Sequence, residues 1–218
     1  MNLRQFIKYW LFRDTTFRGE FKAIRNVLPA DAPKIVVDVG ANDGFYGSNS
    51  YPFIARGWRA VLVEPDPRAF EPLSRRFNGH PHVVCRQSAC GARKGILRLH
   101  LGQDSSHSTL GLGSDPNLST IGPQSGRTVD VSVEPLADIL DEMGIPARYG
   151  VLSIDTEGHD LNVLIGAGLE CRRPDVIFTE TFEPDEAAKR RFLEHLGYRF
   201  RAAVDTNTLW TADASHQG

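Results

Sequence analysis

The chain has 218 residues, 41% of them hydrophobic and 24% charged, with a formal net charge of −2. That length supports one domain with a substantial core, and the composition is that of a globular chain, not a disordered or fibrous one. The near-neutral balance gives no bulk attraction for nucleic acid. Three cysteines, Cys85, Cys90 and Cys171, lack a C-x-x-C spacing, which argues against a disulfide framework or zinc site and points to a reducing, cytoplasmic setting.

The chain opens Met1-Asn2-Leu3-Arg4-Gln5-Phe6-Ile7-Lys8-Tyr9-Trp10-Leu11-Phe12-Arg13. Charges interrupt the apolar residues well short of the ~18 that a transmembrane helix needs, and no small-residue cleavage site follows. Residues 1–34 hold seven Lys or Arg against three acids. A basic amphipathic helix lying on a membrane surface is compatible with this pattern; a helix packed on the body or at a homodimer contact is the simpler reading. Pro29 and Pro33 break any helix, so residues 1–33 are expected to be a helical extension and linker, and residues 34–218 the main domain.

From Lys34 onward, strand and helix signals alternate: strand 35–40, helix 50–56, strand 59–64, helix 67–77 and strand 82–88. Such a βαβαβ run implies a parallel sheet. Residues 96–101 and 128–133 then alternate at period two and predict an extra strand pair, an insertion spanning about residues 95–135. Between them lies a Gly-, Ser-, Pro- and Asn-rich stretch longer than the ~12–15 residues usual for a structureless connection. It reads as a lid or binding loop, with His107 and Ser108 as its candidate substrate contacts. Further on, the pattern predicts helix 135–143, strand 149–155, helix 160–167, strand 175–180 and helix 185–196. A closing hairpin of 198–204 and 208–212 places the last strand antiparallel.

In an open parallel sheet, ligands sit at the carboxyl ends of the strands. The first strand ends in Asp38-Val39-Gly40-Ala41-Asn42-Asp43-Gly44, and the second in Glu64-Pro65-Asp66. A carboxylate there can grip two ribose hydroxyls, so the pairing indicates a nucleoside cofactor. Dinucleotide enzymes favour G-x-G-x-x-G, whose backbone amides hold a pyrophosphate. This turn has only Gly40 and Gly44, and Asp38 and Asp43 would repel phosphate. S-adenosylmethionine, with a sulfonium, an ammonium, a ribose and no phosphate, matches that charge.

Asp155-Thr156-Glu157-Gly158-His159-Asp160 is the densest cluster of acids and imidazole. Methyl transfer to a hydroxyl needs the oxygen aligned on the methyl carbon and its proton removed as the bond forms. Asp155 is assigned near the sulfonium or the acceptor hydroxyl, and Glu157 or His159 to the base role. Asp160 is expected to cap the next helix. The same side chains could instead ligate Mg²⁺ or another divalent ion, although no metal site is assigned. Glu180 ends another strand on this rim and is assigned to the acceptor, with an ion pair to Arg172 or Arg173 as its alternative.

With these residues in view, the chain resembles the FkbM-type class I S-adenosylmethionine-dependent methyltransferases. The likeness rests on Val37 to Gly44, on Val63-Glu64-Pro65-Asp66-Pro67, on Ser153 to Leu164, where the I-D-x-E-G stretch is the most particular part, and on Arg173 to Glu180. The resemblance implies a Rossmann-like α/β fold with a mainly parallel seven-stranded sheet. It also implies O-methylation of a sugar, natural-product or other small-molecule hydroxyl, with S-adenosylhomocysteine as the product. In that pattern Asp38, Gly40 and Asn42, with Ala41 and Gly44 in the same turn, line the methionine part. Glu64 and Pro65 lie at the ribose, Asp66 in the adenosine surroundings, and Ser88 and Ala89 at the adenine. Competing readings are a non-catalytic module of the same fold, a metal-dependent member and, least favoured, a nicotinamide-dependent oxidoreductase.

Overall fold

The computed structural model describes residues 14–102, 109–110, 124–181 and 185–213. The N-terminal segment 1–13 and the expected contacts His107 and Ser108 lie outside the described residues.

Seven strands form the main sheet. They are β1 (Ile35–Val39), β2 (Arg59–Val63), β3 (Val83–Arg86), β8 (Arg148–Ile154), β9 (Arg173–Glu180), β10 (Tyr198–Val204) and β11 (Asn207–Ala212). Their order is β10-β11-β9-β8-β1-β2-β3. Neighbours from β9 through β3 run parallel, whereas β11 pairs antiparallel with both β9 and β10. The expected parallel sheet with an antiparallel closing hairpin is therefore present.

Near-continuous apolar runs such as Ile35-Val36-Val37 and Ala60-Val61-Leu62-Val63 arise because both faces of the sheet are covered. Val37, Val39, Val61 and Val63 pack in one cluster with residues of α4 (Leu136–Glu142), α5 (Asp160–Ile165) and α6 (Glu186–His195). Val36, Ala60 and Leu62 face the other way, toward α1 (Glu20–Val27), α2 (Tyr51–Ile54) and α3 (Pro67–Arg76). Alternate side chains along one strand thus feed two cores. Asp38, in the middle of β1, is the polar exception, and it is buried.

A second sheet, β4-β7-β5-β6, is built from β4 (Ala89–Cys90), β5 (Gly95–Gly102), β6 (Thr109–Leu110) and β7 (Gln124–Glu134). Its centre is the antiparallel β5·β7 pair, in register from Gly95↔Val133 to His100↔Thr128. Leu99, Leu101, Val131 and Val133 bury one face of it, as the period-two pattern implies.

Helix boundaries differ from the sequence expectation chiefly at α2, which has four residues instead of seven because the chain turns at Gly57, with φ of 81°. Conversely, β9 starts two residues early and includes Pro174. Proline is tolerated there because β11 pairs with β9 only from Val176 onward, leaving that end an edge. Among the described residues no helix is long and apolar enough to cross a membrane.

Gly40 joins the two halves of the sheet. Its φ is 84°, and a Cβ at this position would lie 1.8 Å from the Asp155 carbonyl oxygen. Gly57 has a similar φ of 81° with open space around it. Gly57→Ala should therefore cost only the left-handed backbone penalty of about 1 kcal/mol, whereas Gly40→Ala adds a backbone clash and should lose more than ~3 kcal/mol. Chemical denaturation of the two variants measures the difference, and equal losses would contradict it.

Candidate active site

The strand order reverses between β1 and β8, the place where an open α/β sheet leaves a crevice at its carboxyl ends. A cavity of about 400 Å³ opens there, within the usual size range for small-molecule sites. Its floor is fixed by backbone. The Val63 carbonyl accepts from Gly40 N at 2.9 Å and from Ala41 N at 3.1 Å, while Asp155 N donates to the Val39 carbonyl at 2.9 Å. The tips of β1, β2 and β8 are thereby tied together.

On the β1–β2 side, the cavity is lined by Asp38, Gly40, Ala41, Asn42, Glu64 and Pro65. Glu64 reaches back across the turn: Oε2 accepts from Asn42 N and Oε1 from Asp66 N, each at 2.8 Å. This contact holds Asn42 in the left-handed region at φ 48°. Burial, partly offset by those two backbone donors, pushes the Glu64 carboxyl up to about 7. Asp38 accepts from Ser50 Oγ at 2.5 Å, and burial raises its pKa too.

On the β8–β9 side lie Asp155, Thr156, Glu157 and Glu180. Asp155 opens onto the cavity but sits deep among protein atoms, with other acids around it. Its pKa stands well above the usual carboxylate range through desolvation and then repulsion from Glu180, Asp160, Asp38 and Glu64. Glu180 is pushed up to about 8, first by burial and then by Glu157 and Asp160. Its Oε2 is buried and has no hydrogen-bond partner, and among the described residues it makes no ion pair with Arg172 or Arg173. Glu157 holds φ 51°, an uncommon conformation for a non-glycine residue.

Asp160 does not cap its helix. Oδ1 accepts from Thr156 N at 3.0 Å and Thr156 Oγ1 at 2.5 Å, and Oδ2 from Thr179 Oγ1 at 2.6 Å and Glu180 N at 3.0 Å. One buried carboxylate therefore binds the loop after β8 to the end of β9, the two segments that carry Glu157 and Glu180.

Several residues expected at the site are placed elsewhere. Gly44 faces α3, since a Cβ there would meet Leu73 Cδ1 at 2.5 Å and Phe77 Cε2 at 2.7 Å. Asp43 accepts from Phe45 N and Tyr46 N at 2.8 Å each and pairs with Arg76, so its charge closes a turn. Asp66 is fully buried, caps α3 through Arg68 N and pairs with the Arg68 guanidinium at 2.7 Å. Ser88 is buried and off the cavity lining, while its neighbour Ala89 lines the cavity. His159 is also buried, packed beside Gly91, and burial lowers its pKa. It does not line the cavity, which separates it from Glu157 as a candidate base.

Other lining residues carry no signal in the local sequence: Phe17, Tyr46, Cys90, Leu99 and Thr206. Phe17 arrives from before the first strand, and only the folded chain places it here. Among the described residues, five carboxylates and no Lys or Arg line the cavity. That donor set suits a cationic ligand bearing hydroxyls and opposes a pyrophosphate. S-adenosylmethionine fits it. No group of three or more His, Cys, Asp or Glu side chains among the described residues is placed to hold a metal ion.

Comparison with known proteins agrees with this geometry. The methyltransferase FkbM domain family matches residues 38–200. The hexuronic acid methyltransferase AglP of Haloferax volcanii is 27% identical over 165 residues, covering 72% of this chain and 59% of that protein. The 31-O-demethyl-FK506 methyltransferase FkbM of Streptomyces tacrolimicus is 26% identical over 241 residues, covering 98% of this chain and 88% of its own length. In fold, the METTL16 methyltransferase domain superposes with a TM-score of 0.51 at 12% identity, covering 96% of this chain and 77% of that one. The chain belongs to the methyltransferase FkbM domain family, and the domain it builds is that of a class I S-adenosylmethionine-dependent methyltransferase.

Proposed function

We propose that this protein transfers a methyl group from S-adenosylmethionine to a hydroxyl of a sugar or other small-molecule acceptor. The observation that carries the reading is the cavity at the β1/β8 reversal, walled by Asp38, Glu64, Asp155, Glu157 and Glu180 with no basic side chain among the described lining residues. The two relatives named for hexuronic acid and for 31-O-demethyl-FK506 as acceptors support the oxygen and small-molecule part.

When bound, S-adenosylmethionine supplies an electrophilic methyl carbon on a sulfonium. In this reading Glu64 accepts hydrogen bonds from the ribose hydroxyls with the lone pairs left over from Asn42 N and Asp66 N. Asp38 and Asp155 offset the positive charge of the methionine part. Glu157 takes the proton of the acceptor hydroxyl as the C–O bond forms and the C–S bond breaks, leaving a neutral thioether and a protonated carboxyl. Glu180, with its unpartnered Oε2, orients the acceptor. Asp160 holds Glu157 and Glu180 in place from behind.

Calorimetry with S-adenosylmethionine and S-adenosylhomocysteine, together with mass spectrometry of an acceptor pool for a gain of one methyl, tests the assignment. Tighter binding of a pyridine nucleotide would overturn it. Glu64→Ala should weaken cofactor binding by about 1.5–3 kcal/mol, the value of hydrogen bonds to a charged group. Unchanged affinity would remove Glu64 from the ribose. Glu157→Gln should lower kcat by at least ~10²-fold at nearly constant cofactor affinity, as expected for loss of a general base, while His159→Ala should leave the chemical step far less affected.

The raised carboxyls also set a pH dependence. Glu64 binds its proton more tightly folded, at about 7, than at its ordinary value of 4.5. Its contribution to stability is thus fully present below 4.5 and is lost as the pH rises through about 7. The unliganded protein should lose up to about 3 kcal/mol from this group between about pH 5 and about pH 8, and Glu64→Gln should flatten that decline. Because a cation favours the ionised carboxylates, affinity for S-adenosylmethionine should rise over the same interval relative to the uncharged-sulfur product. A pH series of denaturation and calorimetry checks both trends.

A further inference from the structure

Phe17 and Tyr46 form a pair of aromatic rings in the wall of the cavity, 48% and 55% exposed, with centroids 5.0 Å apart and planes at 70°. Large apolar side chains left this open in a concave site are unusual unless something covers them. The pair is built with care. Gly47, at φ 71°, has no Cβ, and one placed there would lie 2.4 Å from Phe17 Cε2, so the glycine gives the ring its seat. Thr15 Oγ1 donates to the Ser48 carbonyl at 2.9 Å, and the buried Asp14 carboxylate accepts from Thr16 N at 3.0 Å and Thr16 Oγ1 at 2.6 Å. The Thr15 bond straps residues 14–17 onto the 46–50 loop, and the Asp14 bonds fix the strap's own turn. The same loop donates Ser50 Oγ to Asp38 and Asn49 Nδ2 to Ser153 Oγ, so the rings are fixed relative to the strand tips.

Phe17 lies outside the 38–200 span shared with the family. It reaches the cavity from before β1, whereas its partner Tyr46 lies within that span. The ring faces offer apolar contact to the C–H face of a saturated ring, and the carboxylates that share the cavity accept hydrogen bonds from its hydroxyls. Those carboxylates also repel an anion, with no lining Lys or Arg among the described residues to offset them.

Resting on the methyltransferase reading above, we propose that Phe17 and Tyr46 are the acceptor platform of this enzyme and that the acceptor they select is a ring-bearing alcohol without negative charge, such as a neutral glycoside, and not a uronate or a phosphorylated sugar. The rings set acceptor affinity and leave the cofactor side alone.

Saturation-transfer NMR on the S-adenosylhomocysteine complex tests this with two pyranoside probes of one shape: methyl glucopyranoside and the corresponding methyl glycoside of glucuronate. The neutral probe should receive saturation on its ring hydrogens and bind at least tenfold more tightly than the uronate. Phe17→Ala or Tyr46→Ala should abolish that signal, Phe17→Tyr should restore it, and calorimetry should find S-adenosylhomocysteine affinity within twofold of the parent throughout. The proposal is overturned if the uronate binds as well as the neutral probe, if neither probe binds the complex, or if the alanine variants keep the signal. Loss of S-adenosylhomocysteine binding by the parent protein would instead strike the methyltransferase reading itself, and the two failures are therefore distinct. Both rings are about half exposed, so their truncation leaves the two cores intact, and unchanged product affinity confirms folding.

Discussion

Everything at the mouth of this sheet follows from how closely the ends of β1 and β8 approach each other. Gly40 has no side chain where the Asp155 carbonyl passes, and the Asp155 N to Val39 carbonyl bond closes that contact. The chain leaves β1 toward β2 on one side and finds β8 on the other, so the crevice forms at the meeting point. A side chain at residue 40 would force the strands apart and move Asp155, Glu157 and the turn that carries Asn42. Cofactor position and acid placement share a single steric condition.

The second feature is the concentration of carboxyl groups around one cavity. Among the described residues five acids line the cavity without a cation and would repel one another if all were ionised; desolvation raises Asp38, Glu64, Asp155 and Glu180 together, and neighbouring acids add to the rise at Glu64, Asp155 and Glu180. A cationic ligand would relieve that repulsion with its own charge. Two further carboxylates, Asp43 and Asp160, serve the backbone. Asp43 shapes the loop after β1 with Arg76 as its counter-charge, and Asp160 joins the segments that carry Glu157 and Glu180. Similar residues in neighbouring positions thus have opposite uses, depending on whether backbone donors or the cavity claim their oxygens.

Family membership accounts for residues 38–200 and for the strand-tip motifs. In the wall formed by Phe17 and Tyr46, Tyr46 belongs to that span, and Phe17 is brought to it by a strap of residues 14–17 fastened across the loop after β1. The strap is joined to that loop through the Thr15–Ser48 side-chain hydrogen bond and the ring seat at Gly47, and not through the sheet.

The sequence alone determined the order of strands and helices, the parallel sheet with its antiparallel hairpin, the β5·β7 pair and the acid-tipped strands, since hydrophobic period and the polar residues that end each run are local properties. It also carried the family, through the stretch from Ser153 to Leu164. It could not tell which polar residue of each motif faces the ligand. Gly44, Asp66 and His159 sit within one or a few residues of lining positions yet are taken up by α3, by Arg68 and by the packing beside Gly91. Nor could it place Phe17, 23 residues before Gly40 and separated from it by a helix. Only the tertiary structure decides such matters, because the direction of a side chain at a strand tip depends on which distant hydrogen-bond partner or packing surface reaches it first, and local periodicity holds no record of that.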